Sequence, residues 1–165
     1  MFLAGAAVAA AAILYLSAER SEETIAAGRA APAFELASLD GGTISLAAQR
    51  GRVVFLNFWA TWCKPCEDEM PAMERLYQEL GGDRFEMIAV AVGDQADDVR
   101  AFRDRLGLSF PIVLDPNREL AARYQSFRFP ETYWIDPDGV LLARFIGPRE
   151  WDATTYVERL QGALP

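Results

Sequence analysis

The chain of 165 residues contains two cysteines, and they stand three apart at Cys63 and Cys66. A thiolate is the species that attacks a disulfide, and a second thiol within reach resolves the mixed disulfide so formed. A structural cross-link at this spacing would enclose almost no loop and constrain the unfolded chain little. Two thiolates do not close a four-ligand zinc site by themselves. Soft sulfur does suit Cu(I), so a copper-binding, metal-delivery module is the rival reading. Such a module would want a histidine or a third sulfur; the chain has no histidine, and Met70 and Met73 sit at core-like helical spacing. The same lack of histidine excludes Ser-His-Asp and Cys-His nucleophiles and H-E-x-x-H metal sites. The pair therefore points to redox exchange, with no cofactor beyond the Cys63–Cys66 disulfide itself.

The elements around the pair are arranged for that chemistry. Val53 to Phe58 (V-V-F-L-N-F) is a nearly continuous apolar run, as expected of a strand covered on both faces. It leads through Trp59 and Trp62 into W-C-K-P-C-E-D-E-M-P. From Glu67 the residues Met70, Met73, Leu76, Tyr77 and Leu80 recur at helical spacing, and Gly81-Gly82 stops the helix. Cys63 thus falls at a helix N-terminus, where unpaired N–H groups and the helix dipole favour an anion. Pro65 suits the first turn, having no N–H to leave unsatisfied. Cys66 lies one turn further in, more buried, as the resolving thiol. Lys64, the one lysine, either supports the Cys63 thiolate by proximity or is an exposed spacer. Glu67, Asp68 and Glu69 are expected to serve the helix N-terminus while slightly opposing a thiolate. Trp59 reads as core and Trp62 as an exposed lip that meets substrate.

The rest of the chain frames one domain. Met1 to Ala18 carries no charged side chain and as a helix would be about 27 Å long, close to the hydrocarbon thickness of a bilayer. It is read as a membrane anchor. A cleaved signal peptide is the competing reading, weakened by the missing basic n-region. Residues 19–31 read as a linker ending at Pro32, and residues 32–165 as the folded domain. Within that domain, alternation around Asp40-Gly41-Gly42 predicts a β-hairpin. Phe85 to Val92 is a second buried strand, and Asp97 to Leu106 a helix. Pro111 to Leu114 is a short strand, with a helical stretch from Asp115-Pro116 to about Tyr124. A hairpin spans Thr132 to Ile146, and a terminal helix carries Trp151, Tyr156, Val157 and Leu160. Strands alternating with helices imply an α/β fold, a mixed sheet with helices on both faces. The net charge of −8 argues against nucleic-acid binding.

W-C-K-P-C after an apolar strand, with F-P-E-T-Y-W-I-D-P-D-G far downstream, resembles the TlpA/ResA-like branch of the thioredoxin superfamily, over about Pro32 to Leu164. The resemblance implies a thioredoxin-like fold and a cis bond before Pro130. The backbone of Phe129 would there pair with a substrate peptide by strand addition. Phe129 is larger than the residues expected before this proline. Thioredoxins proper carry a buried aspartate on the central strand; here that position is Asn57, which cannot ionise. The resemblance instead places an acidic residue after the neighbouring strand, at Asp94 in V-A-V-G-D-Q, as the acceptor of the Cys66 proton. The other reading of Asp94 is a helix cap or loop residue. It further implies a protein-disulfide reductase on the outer side of a bacterial cytoplasmic membrane, facing the periplasm or cell exterior. Its substrates would be protein disulfides, apocytochrome c among them, and its electrons would come from a membrane thiol transporter. Peroxiredoxin chemistry is disfavoured. In the pattern P-x-x-x-[ST]-x-x-C, Leu56 and Ala60 occupy the proline and hydroxyl places.

Overall fold

Strand β3 (Val53–Trp59) carries one polar side chain, Asn57, and a strand of that composition needs cover on both faces. The computed structural model, which describes residues 25–165, places it at the centre of a five-stranded mixed sheet. The other strands are β4 (Phe85–Val92), β5 (Ile112–Asp115), β6 (Glu131–Ile135) and β7 (Leu141–Ile146), in the order β5-β4-β3-β6-β7. β3 pairs parallel with β4 and antiparallel with β6, with Phe58 opposite Glu131 and Asn57 opposite Thr132. The start of β6 therefore lies beside the end of β3, where the cysteine segment begins. The expected hairpin around Asp40 forms a separate two-stranded sheet of β1 (Glu35–Ala37) and β2 (Thr43–Ser45).

Helices α1 (Lys64–Leu80) and α2 (Ala96–Leu106) follow β3 and β4. Both parallel connections step the same way along the sheet, so both helices fall on one face. There Cys66, Met70, Met73 and Leu76 of α1 and Val99 and Phe102 of α2 join Val157 and Leu160 of α4 (Thr154–Gln161) in one core cluster. The opposite face is covered by α3 (Glu119–Arg123), with Leu120 and Ala121, and by Ile25, Phe34 and Leu46 from the N-terminal segment.

Two expectations need correction. The helix expected from Asp115-Pro116 starts only at Glu119. Arg118 takes a left-handed backbone (φ 62°), and the Asp115 carboxylate accepts the N–H groups of Leu120 and Ala121 at 3.3 and 2.9 Å, capping α3 from the strand end. The stretch read as a linker, 19–31, joins the fold over its described part. Ile25 is buried, Gly28 N–H donates to Leu141 O, and Leu141 N–H donates to Arg29 O, both at 2.8 Å. Ala31 N–H also donates to Gly139 O at 2.9 Å. The anchor expected over Met1 to Ala18 lies outside the described residues. Among the described residues no helix is long and apolar enough to cross a membrane.

Candidate active site

Cys63 is the N-cap of α1, with extended backbone, and its Sγ accepts the Cys66 N–H at 3.3 Å. Its carbonyl accepts the N–H groups of Cys66 and Glu67 at 3.0 and 3.1 Å. The two sulfurs are joined in a disulfide. The amide that meets Cys63 Sγ in this state is the donor a thiolate would use once the bond is opened. Cys66 has no exposed surface and Cys63 very little. The N-cap position thus sets Cys63 Sγ at the rim, and Cys66 Sγ lies one turn in, beneath it. Pro65 occupies the first turn, as expected. Lys64 is exposed and pairs with Asp68, four residues on, which raises its pKa by hydrogen bonding and charge. Its ammonium is thus committed along the helix.

Two buried carboxylates stand near the pair. Asp94 follows β4 and accepts Thr61 N–H at 2.7 Å on one oxygen and Thr61 Oγ1–H at 3.1 Å on the other. Thr61 lies two residues before Cys63, so Asp94 fastens the loop that delivers the cysteine. It does not cap α2, whose N-cap is Gln95 without a side-chain cap bond. The second carboxylate, Glu69, is one that sequence reasoning assigned to the helix N-terminus. It instead turns inward one helical turn past Cys66 and is buried against β3. Oε1 accepts Asn57 Nδ2–H at 2.9 Å; Oε2 accepts Trp151 Nε1–H at 2.9 Å and Arg149 N–H at 3.1 Å. Burial pushes its pKa from 4.5 up to about 7, against the pull of these donors. The sequence did hold a signal. Cys66, Glu69, Met70 and Met73 fall at i, i+3, i+4 and i+7, which sets a carboxylate on the apolar stripe of the helix.

Across the site, the Phe129–Pro130 bond is cis, as the resemblance implied. The ladder with β3 begins at Glu131, so Phe129 lies outside it. Trp62, 65% exposed, stands one residue before Cys63 with its ring centroid 6.2 Å from that of Phe129, so the two aromatics form a tilted pair. Trp59 is fully buried and packs on Phe102 at 4.7 Å, as core. The loop carrying Phe129 is held by Glu131, which is wholly buried. One oxygen accepts the N–H groups of Phe127 and Arg128 at 3.0 and 2.8 Å, and the other pairs with Arg144 at 2.6 Å. With both oxygens so engaged, Glu131 braces the loop.

A mixed five-stranded sheet that sets a C-x-x-C pair at a helix N-terminus, beside a proline-led strand, defines a thioredoxin-like thiol–disulfide oxidoreductase. The chain belongs to the AhpC/TSA family, whose model matches residues 27–144. It is similar to the thiol-disulfide oxidoreductase ResA of Geobacillus thermodenitrificans, 41% identical over 126 residues that cover 76% of this chain and 72% of that one. It is equally similar to the thioredoxin-like protein YneN of Bacillus subtilis, 41% identical over 137 residues covering 81% and 79%. Among solved structures, a Chlorobium tepidum protein assigned as the thiol:disulfide interchange protein DsbE superposes with a TM-score of 0.78. It is 27% identical, over 85% of this chain and 99% of that one. Leu56 and Ala60, in the proline and hydroxyl places of the peroxidatic pattern, are both fully buried. The chemistry at Cys63 is accordingly disulfide exchange.

Proposed function

We propose that this chain is a membrane-anchored protein-disulfide reductase facing the bacterial periplasm or cell exterior. The reading is carried by one observation: a sulfur at a helix N-cap, a fully buried sulfur one turn in, and the aromatic pair of Trp62 and Phe129 just before the cis-proline. In the reduced enzyme the Cys63 thiolate attacks one sulfur of a substrate disulfide, and the other leaves as a thiolate. The Cys66 thiolate then attacks Cys63, forming the intramolecular disulfide and releasing the second substrate thiol. Two electrons and two protons pass to the substrate. Phe129 offers unladdered backbone to the substrate chain, Pro130, whose carbonyl accepts Gly147 N–H at 2.9 Å, fixes where that backbone ends, and Trp62 covers the substrate's apolar side. Cys66 must lose a proton in a buried place, and Glu69, one turn away and half-protonated near pH 7, is suited to accept it. Asp94 positions Thr61 and through it Cys63. In this proposal Glu69 takes the part of proton acceptor that the resemblance gave to Asp94.

The anchoring rests on the uncharged stretch Met1 to Ala18. The ResA-type relatives support the exchange activity, and apocytochrome c is the proposed substrate, with a membrane thiol transporter as donor. A Cys66→Ala variant in the native host should trap substrates on Cys63, with cytochromes prominent among them. A broad set of other secreted proteins would redirect the reading to general disulfide reduction. The full-length protein should stay with membranes through high-salt washing; release by salt would remove the anchor. The couple should titrate around −200 to −270 mV, on the reducing side, and a value near −120 mV would reverse the direction of flux.

A further inference from the structure

Glu67 lies in the first turn of α1, four positions after the N-cap Cys63, and its N–H bonds the Cys63 carbonyl at 3.1 Å, which sets a carboxylate on the turn that carries the attacking cysteine. A free carboxylate there would work against a thiolate on Cys63. Arg105, in the last turn of α2, takes hold of that carboxylate with both arms, Nη1 on Oε1 at 3.0 Å and Nη2 on Oε2 at 3.2 Å. The guanidinium lies over the Phe102 ring at 4.9 Å, and Phe102 packs on Trp59 at the end of β3. The cation is therefore seated on the same residues that lead into the cysteine segment. Lys64 bonds Asp68, Asp94 is held by Thr61, and Asp98 lies along the shallow groove formed by Thr61, Ala101, Phe102 and Arg105. Hydrogen bonding to Arg105 holds Glu67 below the usual carboxylate range.

We propose that Arg105 is a positioning residue for the exchange reaction: by gripping Glu67 bidentately it withdraws that carboxylate's charge from Cys63 and keeps the attacking sulfur in its thiolate form. The inference rests on Cys63 being the attacking sulfur, as proposed above.

The test uses reduced protein carrying Cys66→Ser, in which Cys63 alone reports. Thiolate absorbance and the rate of alkylation by iodoacetamide are followed against pH at low ionic strength. Arg105→Gln should move the Cys63 titration upward and slow alkylation at neutral pH on the order of two- to fourfold, an effect that shrinks in high salt. Glu67→Gln should move it downward, and adding Arg105→Gln to Glu67→Gln should change little further. Arg105→Lys, which keeps the charge, should recover most of the wild-type rate. If Arg105→Gln lowers the melting temperature yet leaves the titration and alkylation unmoved, Arg105 is only a brace between α1 and α2. If its effect persists undiminished without Glu67, the route through Glu67 is wrong. A Cys63 that fails to alkylate in the Cys66→Ser protein would remove the attacking role itself, and this inference with it.

Discussion

Replacing Glu69 by Gln separates what the buried carboxylate costs the fold from what it contributes to the reaction. Its pKa is lifted from 4.5 to about 7 by burial, which corresponds to about 3 kcal/mol between the two protonation states. Below pH 4.5 the folded and unfolded chains both carry the proton, and the group is silent. Between 4.5 and about 7 the unfolded chain gives up its proton first, so stability falls as the pH rises; above that the whole cost of about 3 kcal/mol is present. Glutamine stays neutral, and the pocket can receive it. Its carbonyl can face Trp151 Nε1–H and Arg149 N–H, while its amide meets Asn57 Oδ1, which has no partner among the described residues, once the Asn57 amide turns over. Urea unfolding of the oxidised protein across pH 4.5 to 8 keeps the cysteines out of the titration. Glu69→Gln should gain stability over the wild type as the pH rises, approaching 3 kcal/mol at pH 8. In reduced protein the same variant should resolve mixed disulfides on the order of tenfold more slowly, with the step in rate near pH 7 lost. Parallel stability curves for the two proteins would show that the carboxyl group is not held protonated, and the role as proton acceptor would fall with it.

Cys63→Ser should abolish reduction of a model disulfide, whereas Cys66→Ser should accumulate mixed disulfides on Cys63, seen by mass under non-reducing conditions. Equal, simple loss in both would leave the attacking and resolving roles unassigned. Asp94→Asn should loosen Thr61 and slow attack and resolution together while leaving the pH profile in place; stopped-flow kinetics on each step distinguishes this from the effect of Glu69→Gln. Glu131→Gln removes the charge that Arg144 and two backbone N–H groups share. Arg144 is 28% exposed, so the loss should sit at the lower end for a broken buried pair, about 3 kcal/mol by urea unfolding. Weaker capture of protein substrates than of small disulfides should accompany it.

The elements that patterning could reach were the ones with strong periodicity or unbroken apolar runs. β3, β4, α1, α2 and the C-terminal hairpin emerge within a few residues of where the sequence puts them. The cysteine motif was legible because it is tied to a local backbone geometry, a helix start; the cis bond before Pro130 came from the family resemblance, since a trans proline opening a strand fits the residues as well. Glu69 was misread, because three consecutive acidic residues after a helix start read naturally as dipole partners. Its place on the stripe of Cys66, Met70 and Met73 was the countervailing signal, and Asn57 and Trp151 are the partners that meet it inside. Arg105 was equally hidden, since its partner lies 38 residues away and an exposed arginine near a helix end usually just complements the dipole. The late start of α3 turned on Asp115, whose carboxylate serves the helix although its backbone belongs to the strand.

The N-terminal segment that crosses one face of the sheet also touches both of its outer strands. Ala30 lies against Val140 at the start of β7, and Ser38 lies against Val113 of β5, with Leu39 N–H donating to Ile112 O at 2.9 Å. An outer strand otherwise presents a row of free amides and carbonyls that invites a neighbouring molecule to pair. Leu142 and Ile146 already give the β7 side some exposed apolar surface. Truncation at or beyond Ile25 consequently cuts into the fold. A protein cut at Pro32 would keep every catalytic group and lose the clasp on β7. Its failure would show as self-association growing with concentration, with the active site intact.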